Sequence, residues 1–69
     1  MSPDKLVYMA NQIGRSFAYK PHEQAVTSTR DHLLRFWDPR MRKQIKEQLT
    51  KPDSGLDDLV REAVAQLPS

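Results

Sequence analysis

The chain has 69 residues, a net charge of +2, two histidines and no cysteine. The lack of cysteine excludes disulfides and thiolate metal sites, and the histidines His22 and His32 do not have a metal-binding spacing. A domain this small buries only about 60% of the surface that its unfolded chain exposes, so association with a partner is the remaining way to supplement a marginal core.

The first predicted helix spans about 3–19. Ser2 is a suitable N-cap and Pro3 suits the first helical position. One apolar stripe recurs at helical spacing: Leu6, Met9, Ala10, Ile13 and Phe17. Gly14 interrupts this pattern, and we expect it to let another helix approach closely.

Two prolines separate the second and third helices from their neighbours, because the residue before a proline is disfavoured in the helical region. Lys20-Pro21 predicts a second helix over about 21–37. Asp38-Pro39 then combines a good N-cap with a proline at the first helical position. The third helix is therefore predicted over about 39–51.

A loop over 51–55 precedes the fourth predicted helix, about 56–67, which Pro68 stops. Its apolar face consists of Leu56, Leu59, Val60, Ala63, Val64 and Leu67. The sequence therefore predicts an all-α protein, a compact bundle of four short helices that forms a single domain over 1–69.

No motif in this bundle indicates catalysis. Ser28 and His32 lie four residues apart on one helix face, but no orienting acid or oxyanion-hole element accompanies them. Gly14 and Gly55 are isolated, so no glycine-rich phosphate loop exists. We expect no enzymatic activity, no catalytic residue, and no metal or cofactor bound by this chain.

The amino-terminal region predicts neither secretion nor membrane insertion. Its apolar stretch, Leu6–Ala10, is far shorter than the roughly 20 residues that a membrane-spanning helix needs. The first residues also lack the basic region and apolar run of a secretory signal. We therefore expect a cytoplasmic protein without a membrane partner.

Charge is unevenly distributed along the second half of the chain. Basic residues are in excess over 38–51, and acidic residues are in excess over 52–69. The basic third helix suggests one alternative, a nucleic-acid-binding module that uses Arg40, Lys43, Lys46 and Lys51. The low net charge and the acidic fourth helix disfavour it, because opposite charges can pair internally.

The segment 36–42 is the most informative part of the sequence. It places Trp37 and Met41 beside Arg40 and Arg42, and these residue types are enriched in protein interfaces. The same pattern also suits an internal helix corner, where Trp37 packs and Arg42 stacks on its ring. The residue types alone leave both interpretations open.

This segment, Phe36-Trp37-Asp38-Pro39-Arg40-Met41-Arg42, resembles the signature of the delta subunit of soluble NAD-dependent formate dehydrogenases. The resemblance extends to three further stretches, 9–14, 21–26 and 55–64, and so covers nearly the whole chain. The departures are Ser16, where the family pattern has an aromatic residue, and the polar run Thr27-Ser28-Thr29.

The resemblance implies a non-catalytic accessory subunit that binds the catalytic (alpha) subunit of a cytoplasmic complex. Its implied role is assembly, stability or insertion of the molybdenum cofactor. The companion subunits would carry a molybdenum or tungsten bis-MGD centre, iron–sulfur clusters and FMN, while this chain would bind none of them. A transient insertion chaperone, which holds cofactor phosphates through Arg40 and Arg42, is a second possibility.

Under the accessory-subunit hypothesis we expect partner-binding residues in two places. The main anchors are Phe36, Trp37, Arg40, Met41 and Arg42. Weaker candidates lie on the first helix: Asn11, Gln12 and Arg15. A homo-oligomer of the isolated chain is also expected if an apolar partner-binding surface is left uncovered.

Overall fold

The computed structural model describes residues 2–68, and these contain four α-helices, one 3-10 helix and no strand. The all-α prediction is confirmed. The elements, in chain order, are α1 Pro3–Phe17, α2 His22–Phe36, α3 Pro39–Glu47, the 3-10 helix Gln48–Thr50 and α4 Asp58–Ala65. No helix in this range has the length and hydropathy of a bilayer-spanning segment.

The predicted caps of the first and third helices are present. Ser2 Oγ accepts a hydrogen bond from the Lys5 backbone N–H at 3.3 Å. Asp38 Oδ1 accepts one from the Met41 N–H at 2.8 Å. Each cap satisfies an N–H group that has no partner within its own helix.

Each predicted helix is slightly longer than the observed one. The first ends at Phe17, before the turn that leads to the pre-proline residue Lys20. The third ends at Glu47, and its last predicted turn is the 3-10 helix. Lys51 lies next to a proline and is extended, which ends that element.

The fourth helix begins at Asp58, two residues after the predicted start at 56. Gly55 has a φ of +87°, a left-handed conformation that glycine adopts without strain. The following residue, Leu56, is buried in the core although it lies outside the helix. The chain therefore turns at Gly55 and enters the helix only after it has placed Leu56 against the core.

One apolar cluster lies between the helices, and α1 contacts each of the other three. Its buried members are Leu6, Val7, Ala10, Leu33, Trp37, Ile45, Leu56, Val60, Val64 and Leu67. Half-buried side chains, among them Met9, Ile13 and Met41, pack against this cluster. Residues from every helix thus share one core, as expected for a domain of this size.

The side chains of Leu59 and Val60 in α4 lie against Gly14 of α1. A Cβ atom at this position would overlap Val60 Cγ2 and lie 3.3 Å from Leu59 Cδ2. The expectation that Gly14 permits a close helix approach is confirmed. Glycine is needed here for space, since its backbone is helical.

We predict that Gly14→Ala destabilises the bundle. Overpacking costs about 1–3 kcal/mol, and alanine regains only about 1 kcal/mol of helix propensity, so the free energy of unfolding falls by up to about 2 kcal/mol. Urea denaturation followed by circular dichroism measures this change. The control Gln12→Ala, at an exposed position of the same helix, stays within about 0.5 kcal/mol of the wild type. An increase in stability for Gly14→Ala would show that α4 does not cover it.

Candidate functional site

The junction between α2 and α3 contains the main predicted anchors, and Trp37 lies at its centre. Trp37 is the C-cap of α2, with an extended backbone, and its N–H donates to the Leu33 carbonyl at 3.1 Å. Its side chain is only 5% exposed and belongs to the apolar core. In the free chain Trp37 is therefore a core residue at a helix corner, and its indole is not presented to solvent.

Arg42 is also directed toward the inside of this junction. Its Nη1 donates to the carbonyls of Trp37 and Leu34, the latter at 3.3 Å. These carbonyls belong to the end of α2, where helical partners are missing and a cation is favoured. The guanidinium thus caps α2. Within residues 2–68 the cation–π contact is Lys20 over Phe17, so the alternative in which Arg42 stacks on Trp37 is not the arrangement found.

The other three anchors at the junction differ in exposure. Met41 is half-buried and packs against the core, whereas Arg40 is exposed. Phe36 is 72% exposed, although it is the direct neighbour of Trp37. The Phe36 ring lies against His32, with 4.7 Å between the ring centroids. Of the apolar anchors, Phe36 is the one with an exposed side chain.

The three predicted partner-binding residues on α1 also differ in burial. Asn11 is buried, and its Nδ2 donates to the Gly55 carbonyl at 2.9 Å. Its Oδ1 accepts from the Asp57 N–H at 3.0 Å. Arg15 forms an exposed ion pair with Asp57 at 3.1 Å, and Gln12 is exposed. Asn11 therefore holds the loop before α4 against α1, while Gln12 and Arg15 remain on the surface.

We predict that Asn11→Ala lowers the free energy of unfolding by about 2 kcal/mol, because it leaves a part-buried N–H and a carbonyl without partners. Thermal or urea unfolding measures the change. The matched control Arg15→Ala removes an exposed contact to the same Asp57 and costs at most about 1 kcal/mol. Equal losses for the two variants would contradict the assigned role of Asn11.

A surface that the sequence did not identify lies beside Phe36. We call it the aromatic patch, and it consists of Phe17, His32 and Phe36. His32 contacts Phe36 on one side and Phe17 on the other, where the centroids are 6.3 Å apart in an edge-to-face arrangement. The apolar stripe of α1 suggested that Phe17 is a core residue, but it is half-buried and lies outside the core cluster. No local pattern distinguishes it from Ile13, one turn earlier.

A family model for the "NADH-dependent formate dehydrogenase delta subunit FdsD" matches residues 5–64. The chain belongs to this family. The match extends from α1 to α4 and includes both the junction and the aromatic patch. Searches of curated proteins and of solved structures gave no significant match.

In this member of the delta-subunit family, Ser28 and the two histidines are not paired as a serine hydrolase requires. Ser28 Oγ accepts from Lys20 Nζ at 3.2 Å, while the His32 ring lies between two phenylalanines. His22 pairs with Glu62 on the surface, where both side chains are more than half exposed. Among residues 2–68, no group of His, Asp and Glu side chains is arranged to hold a metal ion.

The basic residues of α3 are partly used within the fold. Lys46 Nζ donates to the Leu67 carbonyl at 2.5 Å, beyond the end of α4. Arg40 and Lys43 on α3, and Lys51 after it, are exposed. Of the four cations that suggested a nucleic-acid-binding surface, one is thus bound to a backbone carbonyl. Of the two arginines suggested for cofactor phosphates, Arg42 is similarly occupied.

Proposed function

We propose that the chain is a non-catalytic accessory subunit of a cytoplasmic NAD-dependent formate dehydrogenase complex, and that it binds the catalytic (alpha) subunit. The match to the delta-subunit family over residues 5–64 carries this proposal. Binding of this kind would support assembly, stability or insertion of the molybdenum cofactor. A small domain gains stability by mass action when a partner binds only its folded state.

The side-chain geometry supports a binding role over a chemical one. Ser28 accepts a hydrogen bond from Lys20, and His32 lies against Phe36, so the histidine is not paired with the serine. The buried polar side chains of Asn11 and Thr29 bond to the backbone: Asn11 holds the loop before α4, and Thr29 donates to the Ala25 carbonyl within α2. The predicted partner-binding residues that remain exposed, Phe36 and Gln12 among them, are available to a second molecule.

We assign the redox groups of such a complex to the companion subunits. These groups would be a molybdenum or tungsten bis-MGD centre, iron–sulfur clusters and FMN. The residues of this chain do not fit them, because it has no cysteine to ligate a cluster. Its two glycines do not form a phosphate cradle either, since Val60 covers Gly14 and Gly55 lies in the loop that Asn11 holds.

Co-purification tests the proposal. When the tagged chain and the catalytic subunit are produced together, we expect them to elute in a fixed ratio that native mass spectrometry can measure. Removal of the chain should lower either the yield of the complex or the molybdenum or tungsten content of the catalytic subunit. Complementation with the wild-type chain is the control and should restore both quantities.

Three results would argue against a permanent subunit. Metal loading that depends on the chain without a stable complex would favour a transient insertion chaperone. Elution with nucleic acid, in amounts that fall steeply with salt, would favour the basic surface of α3. A fully loaded catalytic subunit at normal yield, with no chain bound to it, would contradict the proposed function altogether.

A further inference from the structure

The aromatic patch, Phe17, His32 and Phe36, is a continuous ring surface formed by two helices. Single exposed apolar residues are common and need no explanation. Here His32 contacts a ring on each side, 4.7 Å and 6.3 Å away between centroids, and Phe36 is 72% exposed. Rings that contact one another across α1 and α2 therefore combine into one surface feature.

The aromatic patch lies outside the apolar core. Neither Phe17 nor Phe36 belongs to the core cluster or to the half-buried side chains packed against it. The next residue, Trp37, makes the core contact at the end of α2. A polar side chain at position 36 would leave the core unchanged, so packing within the chain does not explain the phenylalanine.

The charges around the patch are mostly positive. Lys20 lies over the Phe17 ring, with its Nζ 5.6 Å from the centroid. Arg35 is exposed and lines the same shallow groove as His32 and Phe36. The nearby carboxylate of Asp31 is paired with Arg30 at 3.1 Å, whereas no carboxylate in residues 2–68 lies within ion-pair distance of Arg35. A molecule that covers the patch would thus meet an apolar centre with a basic rim.

We propose that the aromatic patch is the docking surface for the catalytic subunit of the formate dehydrogenase, an inference that rests on the proposed function. The segment of that subunit that docks here places an apolar side chain against Phe36 and His32. Its carboxylates lie opposite Arg35 and Lys20. Aromatic anchors beside complementary charges are the usual centre of a protein interface, and the charges also steer association.

The size of the molecule is consistent with this arrangement. A standard interface covers about 800 Å² on each partner, and the chain has a total surface of 4506 Å². The three rings would form the centre of such an interface and account for only part of its area.

The test compares Phe36→Ala with Tyr8→Ala in binding to the purified, immobilised catalytic subunit. Tyr8 is similarly exposed, at 63%, but lies two and a half turns before Phe17 and so on the opposite side of α1. We expect Phe36→Ala to weaken binding at least about thirtyfold, which is about 2 kcal/mol. Tyr8→Ala should bind within about twofold of the wild type, and both variants should keep the wild-type melting temperature.

A second pair of variants tests the charge complementarity. Arg35→Glu should slow association and reduce its dependence on salt, because it reverses a charge at the rim of the interface. Arg40→Glu makes the same change at an exposed position on α3. Association that Arg40→Glu slows and Arg35→Glu leaves unchanged would overturn the proposal in favour of the α3 surface.

The remaining outcomes separate this proposal from the proposed function. If the wild type binds and Phe36→Ala binds equally well, the patch is overturned and the accessory-subunit role stands. If the wild type does not bind the catalytic subunit, both fail. If Phe36→Ala dissolves a dimer of the free chain and leaves subunit binding intact, a second copy occupies the patch and the proposal is overturned.

Discussion

The bundle depends on polar side chains that bind backbone groups at the ends of neighbouring elements. Short helices leave a large share of their terminal N–H and carbonyl groups without internal partners. Arg42 of α3 binds carbonyls at the end of α2, and Lys46 of α3 binds the carbonyl of Leu67 after α4. Arg61 of α4 similarly donates to the carbonyls of Leu49 and Lys51 at 3.1 and 3.4 Å. These contacts link the helix ends across a core that is small for an independent domain.

The need to bind the free backbone groups at helix ends explains why residue types that are common in protein interfaces lie inside this protein. Trp37 and Arg42 form the corner between α2 and α3, and Asn11 holds the loop before α4. Most of the predicted junction is therefore needed for folding before any partner arrives. The apolar surface that remains beside it is the aromatic patch, where Phe36 turns outward while its neighbour Trp37 turns inward.

The sequence predicted the helices well because their signals are local. Ser2-Pro3 and Asp38-Pro39 act within three or four residues, and both caps are present in the structure. The start of α4 was placed too early because Asn11, 44 residues before Gly55, fixes the loop, and such a contact leaves no local pattern. The family match also agrees with the resemblance that the motif 36–42 suggested.

The candidate site could be predicted only in part. An arginine near a tryptophan in the sequence can either cap a helix or bind a partner. The residue types alone therefore could not predict which of these roles Arg42 has. Phe17 followed the core periodicity of α1, yet it lies at the end of that helix and outside the core cluster. Phe36 was predicted as a partner-binding anchor and is exposed, but the contacts of His32 with Phe36 and Phe17 depend on how α1 and α2 pack.

Hydrogen–deuterium exchange of the chain, free and bound to the catalytic subunit, tests the central claim that the α2–α3 junction serves the fold and the aromatic patch serves binding. Peptides that cover 17–20 and 28–36 should gain protection on binding. Peptides from α3, over 39–47, should exchange equally in both states. Protection that increases over 39–47 and stays unchanged at the patch would contradict this account and place the interface on α3.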